Sequence, residues 1–392
     1  MDLGFSAAEH AFRDEARSWL AGHVPAAPLP SLETAEGFAA HREWERTLFA
    51  DRWSVVTWPE EHGGRGASLV QWLLFEEEYH AAGAPGRVAQ NGISLLAPTL
   101  FEHGTDEQRA RVLRPMASGE VVWAQAWSEP ESGSDLASLR STATRTTGGW
   151  LIDGQKTWSS RAAFADRAFG LFRSDPDTAR PHQGLTYLMF PLDAPGVTVR
   201  PIGRLDGKPA FAELFLDEVF VPDADVIGEP GQGWRVAMST AGNERGLTLR
   251  SPGRYTAAAE RLAALWRAAP AGTDPALGGR VADALIGARA YQLFAYAQAS
   301  RLAAGHSLGA EPSLNKVFWS ELDLALHETA LELLGPYGAL SDEAGEAGEA
   351  PAYGSWAEGY TFALAGPIYA GTNEIQRDII AERLLGLPKG RR

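Results

Sequence analysis

In IYAGTNEIQRDIIAERLLGLP, residues 368–388, the back half reads as a helix and the front half, Tyr369-Ala370-Gly371-Thr372, as a tight polar turn. A bare surface helix needs no such start. The first amide N–H groups of a helix lack intrahelical acceptors, so the segment after Thr372 offers donors to whatever the turn holds. What sits there, and why an alanine stands at 370, decides how the chain is read.

Upstream of this stretch, helical regions are expected near 232–268, 277–305 and 311–335. A last one spans 353–385, interrupted at 369–372. Four amphipathic regions suit a helical bundle. Leu314, Val317, Phe318, Leu322, Leu326 and Leu333 fall at helical spacing, a stripe that fills the bundle core or covers a subunit contact. The acidic, glycine-rich SDEAGEAGEA at 341–350 reads as an exposed loop.

Before the bundle the period changes. VVWAQAW, GGWLIDGQKTWSS, GLTYLMFPL, GVTVRPI and AFAELFLDEVFV are strand-like, with a turn expected at Asp153-Gly154. Such short strands suggest a small barrel or sandwich ending near GEPGQGW, 228–234. The first hundred or so residues are helical again. Ser6 and Glu9 match a capping box ahead of Phe12, Ala16, Trp19 and Leu20. Helices are expected over 38–50, 68–82 and 94–117, the last with Pro98 and a break near Gly104. The expected fold is mixed α and β: an N-terminal α-helical domain over 1–120, a middle β-barrel domain over 121–229 and a C-terminal four-helix bundle over 230–392.

Composition bounds the function. With 392 residues, two or three domains are expected. Lys plus Arg total 35 against 50 Asp plus Glu, and the formal charge of -15 argues against a nucleic-acid partner. There is no cysteine, so disulfide and thiolate chemistry is excluded. The N-terminus has neither the basic start nor the apolar run of a secretory signal. No stretch approaches the ~20 apolar residues of a membrane span. The expectation is a cytoplasmic protein without stable membrane insertion. The glycines of WPEEHGGRGAS, 58–68, make a loop with no GK[ST] to bind phosphate. His306 and His327 match no metal-ligand spacing, so no metal site is expected.

Two segments carry candidate chemistry. AWSEPESGSD, 126–135, joins a strand end to a polar turn whose Ser128, Gly133 and Ser134 could present hydroxyls and N–H groups to a heterocycle or a phosphate. The plainer reading is a turn closed by a local serine–backbone bond. In GQKTWSS, Trp158 could stack on an aromatic cofactor while Ser160 bonds its polar edge; otherwise Trp158 is a core tryptophan.

The order WPEEHGGRGAS, AWSEPESGSD, GQKTWSS, LDEVFVP with GEPGQGW, and GTNEIQRDIIAERLLGLP closely resembles the acyl-CoA dehydrogenase family over nearly the whole chain. The resemblance implies FAD between the β-domain and the bundle, with an acyl-CoA thioester against the flavin ring. By position, Trp127, Ser128, Trp158 and Ser160 would surround the isoalloxazine. Ser134 would lie near the cofactor and substrate phosphates. Thr372 and Glu374 would contact flavin, with Gln376 on the following turn, and Tyr369 and Gly371 would border the thioester. Asn243 and Arg245 would flank the substrate. The implied reaction removes the pro-R α-proton with a carboxylate while the β-hydride moves to flavin N5, and an electron-transfer flavoprotein is the implied electron acceptor. The resemblance places the chain in lipid metabolism.

In many family members the base immediately precedes the Gly-Thr pair, where this chain has Ala370. A second family arrangement puts the glutamate on the first long bundle helix. Its counterpart in AGNERGLTL is Glu244, the expected base, in a pattern used for branched or bulky acyl groups. On bare sequence a Glu-Arg pair on a helix is a solvated pair. The chain also lacks the Arg-x-Phe-Gly segment that reaches the FAD of a neighbouring subunit. Asp274-Pro275 followed by Gly278, Gly279 and Arg280 stands there, with Arg280 as a remaining FAD contact. The expected assembly is a homo-oligomer or a heteromer with a related subunit. Two alternatives stay open: a non-catalytic or half-site subunit, and an oxygen-using flavoenzyme of the same fold.

Overall fold

The structure, a computed structural model, describes residues 4–245, 250–339 and 356–389; the side chains of 243–245 lie outside the description. The chain opens with α1 (Ala7–His23), α2 (Ala35–Ala50), α3 (Leu69–Ala81), α4 (Ala97–His103) and α5 (Asp106–Ala117). Their starts follow from sequence. Ser6, Ser68 and Thr105 each form a complete capping box with Glu9, Gln71 and Gln108. Each box satisfies two backbone donors that the helix itself cannot. A π-helical turn over Gly92–Leu96 leads into α4; Pro98 falls in the first turn of α4, where its missing N–H costs nothing, and Gly104 closes it.

The middle of the chain forms β1 (Trp123–Ala126), β2 (Thr142–Thr146), β3 (Gly149–Ser160), β4 (Arg167–Arg173), β5 (Leu185–Pro191), β6 (Val197–Ile202), β7 (Phe211–Pro222) and β8 (Val226–Ile227). They make one sheet in the order β6-β7-β3-β2-β4-β5-β8, with β1 alongside β4. Trp150, Ile152, Phe172, Phe190, Leu214 and Val219 form its core. The expected turn at Asp153-Gly154 is not one. β3 runs through it, paired with β7 on both sides, with a register shift between Ile152 and Gly154. Gly154 has φ 137°, and a Cβ there would lie 2.3 Å from Ser141 Oγ. The glycine serves a bulge and a close approach of β3 to Ser141.

The last part comprises α6 (Gly233–Arg245), α7 (Pro252–Ala268), α8 (Pro275–Ala303), α9 (Glu311–Leu334), α10 (Trp356–Ala363) and α11 (Asn373–Ile379), then a π turn over Ile380–Leu384. The helix expected over 232–268 is two: Ser251 caps α7 and Pro252 begins it. Tyr255, Leu262, Tyr291, Trp319 and Leu326 pack together. Of the apolar stripe, Leu326 is buried, whereas Leu314 and Phe318 are 37% and 42% exposed, so the stripe is core only in part. The expected 341–350 loop lies outside the described residues. No described helix is long and apolar enough to cross a membrane.

The chain divides into two compact units, Met1–Pro30 with Gly66–Gly86 and Arg245–Arg392, and Ser31–Arg65 with Arg87–Glu244. In the first, α3 packs on α7, where a Cβ on Gly253 would lie 2.6 Å from the Glu76 carbonyl oxygen. Arg13 and Arg17 of α1 reach Glu78 of α3 at 2.5 and 2.8 Å.

The second unit buries a full ion pair. Lys156 Nζ on β3, wholly inaccessible, donates to Glu129 Oε1 and to the Leu171 carbonyl, both at 2.8 Å. The Glu129 carboxylate also accepts from the amides of Arg140 at 2.6 Å and Ser141 at 2.9 Å. Burial pulls the Lys156 ammonium down to about 8, so it is still protonated at pH 7. Burial pushes Glu129 up, but Lys156 and the bonded amides outweigh it and hold the carboxyl below its ordinary 4.5. The stability this carboxylate contributes is therefore present above its ordinary value and is lost as pH falls through the lower, folded-state value. Lys156→Met leaves Glu129 buried without its cation and is expected to cost about 3–5 kcal/mol in urea unfolding. Adding Glu129→Gln is expected to cost less than the sum of the single changes, since the two groups form one unit.

Candidate active site

Three segments carry the residues singled out from sequence, two in the second unit and one in the first. The first begins where β1 ends. Trp127 is half-buried, with its indole N–H donating to the Tyr187 hydroxyl at 3.1 Å. The Ser128 carbonyl accepts from the Thr157 amide at 2.8 Å, which fastens this strand end to β3. Ser134 is exposed in the turn beyond.

The second segment is the end of β3. The ladder with β7 slips again between Lys156 and Ser159. Trp158 falls in this bulge at φ 60°, and Arg161 follows at φ 54°. Left-handed backbone is unusual for so bulky a residue and collects at functional sites. The bulge re-aims Trp158, which is 60% exposed and meets Phe211 edge-on at 5.9 Å. This excludes the reading of Trp158 as a core tryptophan. Ser160 is half-buried beside it.

The third segment is the turn that opened the sequence. Ala370 and Gly371 are both left-handed, at φ 57° and 75°. Thr372 caps α11 by accepting from the Ile375 amide at 3.3 Å. Bonds to its own backbone amide and to Thr372 hold the Glu374 carboxyl below the usual carboxylate range. Gln376 donates its side-chain N–H to the Ala370 carbonyl at 2.9 Å. Lys316 of α9, wholly buried, donates to Asn373 Oδ1 at 2.8 Å, and Ser320 adds a bond at 3.1 Å. Tyr369 stacks on Trp319 with ring centres 6.0 Å apart, and its hydroxyl accepts from Arg250 at 3.0 Å.

The side chains of Glu244, Asn243 and Arg245 lie outside the described residues; their backbone completes α6. Arg280 pairs with Glu332 at 2.6 Å. A Cβ on Gly278 would lie 2.7 Å from the Trp266 ring, so that glycine admits the indole against α8. Sequence reading missed Lys156, Glu129, Lys316 and Arg250. For the two lysines the available signal was weak, a single cation inside a strand or helix expected to be buried, since such a charge must find a partner. Among the described residues, no group of three or more His, Cys, Asp or Glu is placed to hold a metal ion.

Models of the acyl-CoA dehydrogenase N-terminal, middle and C-terminal domains match residues 6–120, 124–219 and 231–385. The acyl-CoA dehydrogenase IpdE1 of Mycobacterium tuberculosis is 40% identical over 386 residues, covering 96% of this chain and 97% of that protein. Its namesake in Mycolicibacterium smegmatis is 39% identical over 395 residues, with the same coverage. The chain belongs to the acyl-CoA dehydrogenase family. Among solved structures, the Tcur3481-Tcur3483 steroid ACAD superposes with a TM-score of 0.87 at 28% identity. The ChsE4-ChsE5 complex from M. tuberculosis gives 0.81 at 29%, and each comparison covers both chains in full.

Acyl-CoA dehydrogenases are FAD-dependent oxidoreductases, and the residues present suit that cofactor. An outward tryptophan beside serine hydroxyls matches a flat, polar-edged ring. Gln376 Oε1 and Ser159 Oγ, both buried, have no hydrogen-bond partner among the described residues. Each is an acceptor available to a bound group.

Left-handed backbone costs a non-glycine L-residue about 1–2 kcal/mol, and Ala370 adopts it at φ 57°. Ala370→Gly is expected to raise stability by up to about 1 kcal/mol, and β-branched Ala370→Val to lower it by at least as much. Thermal unfolding of the two variants measures both.

Proposed function

We propose that this dehydrogenase oxidises the Cα–Cβ bond of a branched or bulky acyl-CoA thioester, with Glu244 as the base. The observation that carries the reading is the methyl group at 370 in a chain of this family: the commoner site of the base holds nothing that can take a proton, and Glu244 on α6 occupies the alternative. Bound FAD supplies the acceptor for the β-hydride. Trp127, Ser128, Trp158 and Ser160 hold its ring system, and Ser134 lies toward the phosphates. Thr372, Glu374 and Arg280 complete its contacts. Tyr369 and Gly371 border the thioester, whose oxygen gathers negative charge as the α-proton leaves and is stabilised by hydrogen bonds that strengthen in the transition state. Asn243 and Arg245 flank the acyl-CoA.

A bulky substrate is supported from two sides. An alanine at 370 removes a side chain from one wall, and the Tcur3481-Tcur3483 relative is a steroid enzyme. An electron-transfer flavoprotein is the proposed acceptor, and the cytoplasm the proposed location.

A second reading is favoured by the Gly278–Trp266 contact and the Arg280–Glu332 pair, which give this segment roles within its own chain. The protein is then one subunit of a heteromer with a related chain. Flavin content of the chain purified alone, compared with a co-expressed related subunit, separates the two: a fully flavinated, active homomer removes the second reading.

Glu244→Gln keeps the shape and removes the base. Anaerobic flavin reduction by branched, aromatic or steroid-side-chain CoA thioesters is expected to fall roughly 10²–10⁴-fold while FAD and thioester still bind. Wild-type rates in that variant would assign the base elsewhere.

A further inference from the structure

Buried side chains tie the first of the three segments to the helix that carries Glu244. The Trp127 indole N–H lies 3.1 Å from the Tyr187 hydroxyl, and that hydroxyl 3.3 Å from Thr240 Oγ1. Thr240 Oγ1 is 2.7 Å from Thr99 Oγ1, which is 2.7 Å from the Leu95 carbonyl oxygen. Tyr187, Thr240 and Thr99 are wholly buried.

The chemistry of the ends sets a direction. An indole N–H only donates and a carbonyl only accepts, while each hydroxyl has one proton to give. The protons therefore run from Trp127 to Tyr187, Thr240, Thr99 and Leu95. Thr240 has another acceptor in its own helix, the Val236 carbonyl at 3.1 Å, but the 2.7 Å contact with Thr99 is shorter and needs a proton between its oxygens. In a dry interior, bonds aligned in one direction polarise and strengthen one another. The chain ends at Leu95 in the π turn, a distortion found mostly at functional sites.

Thr240 is about one helical turn ahead of residue 244 along the backbone of α6. α6 ends at Arg245, and the chain passes from one compact unit to the other between Glu244 and Arg245. The end of a helix frays unless something holds it.

We propose that Thr240 and Tyr187 are positioning residues that fix the last turn of α6 relative to Trp127, so that base and hydride acceptor share one frame. The proposal rests on the reading of Glu244 as base. The indole N–H of Trp127 is already committed to Tyr187, which leaves its ring as the surface it can offer to a flavin. Loss of either hydroxyl loosens the helical backbone that carries residue 244. Displacement of a reacting group by about 1 Å costs roughly 10²-fold.

The test uses the FAD-loaded full chain carrying Thr240→Val, Tyr187→Phe, Thr240→Ser or Glu244→Gln. Three quantities are read: anaerobic flavin reduction by a branched acyl-CoA with and without α-deuterium, thioester affinity, and hydrogen exchange of the 240–245 amides without substrate. Thr240→Val and Tyr187→Phe are expected to keep flavin content and bind thioester within about threefold. They should reduce flavin roughly 10–100-fold more slowly. Their α-deuterium isotope effect should rise and their 240–245 amides exchange about tenfold faster. Thr240→Ser, which keeps the hydroxyl, should restore both. Should Thr240→Val not fold, Tyr187→Phe carries the same readouts. Wild-type reduction rates in Thr240→Val and Tyr187→Phe overturn the proposal, whether or not the amides loosen. With Glu244→Gln inert, that result leaves the base assignment standing. Wild-type rates in Glu244→Gln sink the base assignment and the positioning role together.

Discussion

A charge with no water around it must have a partner, and the arrangement of the second unit depends on how Lys156 meets that demand. Its ammonium is held by Glu129 and by the Leu171 carbonyl, and Glu129 is held in turn by the amides of Arg140 and Ser141. One buried cation thereby fastens β3, β4, the end of β1 and the entry to β2. Both segments proposed to meet the flavin hang from it. Trp127 and Ser128 directly precede Glu129, and Trp158 and Ser160 follow Lys156 by two and four residues. The Thr157-to-Ser128 backbone bond closes the gap between them. Replacing such a pair by well-packed apolar groups often leaves stability unchanged, so specificity of shape is the better account of it. The left-handed backbone of Trp158 is strained and persists because the residues on either side are over-determined.

The first unit repeats the device with other parts. Lys316 is again wholly buried, and here it holds the amide side chain of Asn373, the first residue of α11. Gln376 grips the Ala370 carbonyl from the far side. The left-handed pair Ala370-Gly371 thus sits between a helix cap and two buried polar anchors. In both units a lysine drawn from a regular element fixes a short irregular one.

How far the sequence foretold this depended on distance along the chain. The Ser6 capping box was legible because its members are three residues apart. The succession of helices, strands and helices was legible from periodicity, and the family from the order of five short segments. Asp153-Gly154 misled because a hairpin and a bulge ask the same thing of a glycine, a backbone region closed to other residues. What decided between them was pairing with β7, some sixty residues further on. Lys156 and Glu129 are 27 residues apart, and Lys316 and Asn373 are 57 apart. No local pattern announces such partners. The break inside 232–268 was signalled by Ser251-Pro252, a cap and a first-turn proline that continuous amphipathicity outweighed. The split of the N-terminal helices between two units had no signal at all.

That split bears on how the molecule is made. α3 buries Trp72, Leu73, Leu74, Phe75 and Tyr79, and it packs on α7, which begins at Pro252. A ribosome adding roughly 5–20 residues per second leaves that apolar helix waiting on the order of ten to thirty seconds for its partner. Meanwhile Ser31–Arg65 and Arg87–Glu244 can complete a compact body of their own, with Gly66–Gly86 looped out of it. Vectorial synthesis thus yields a half-finished protein in which α3 has α1 beside it but still lacks α7. Until α7 arrives, the apolar face it will cover stays open, and transiently exposed surface of that kind is where a nascent chain aggregates.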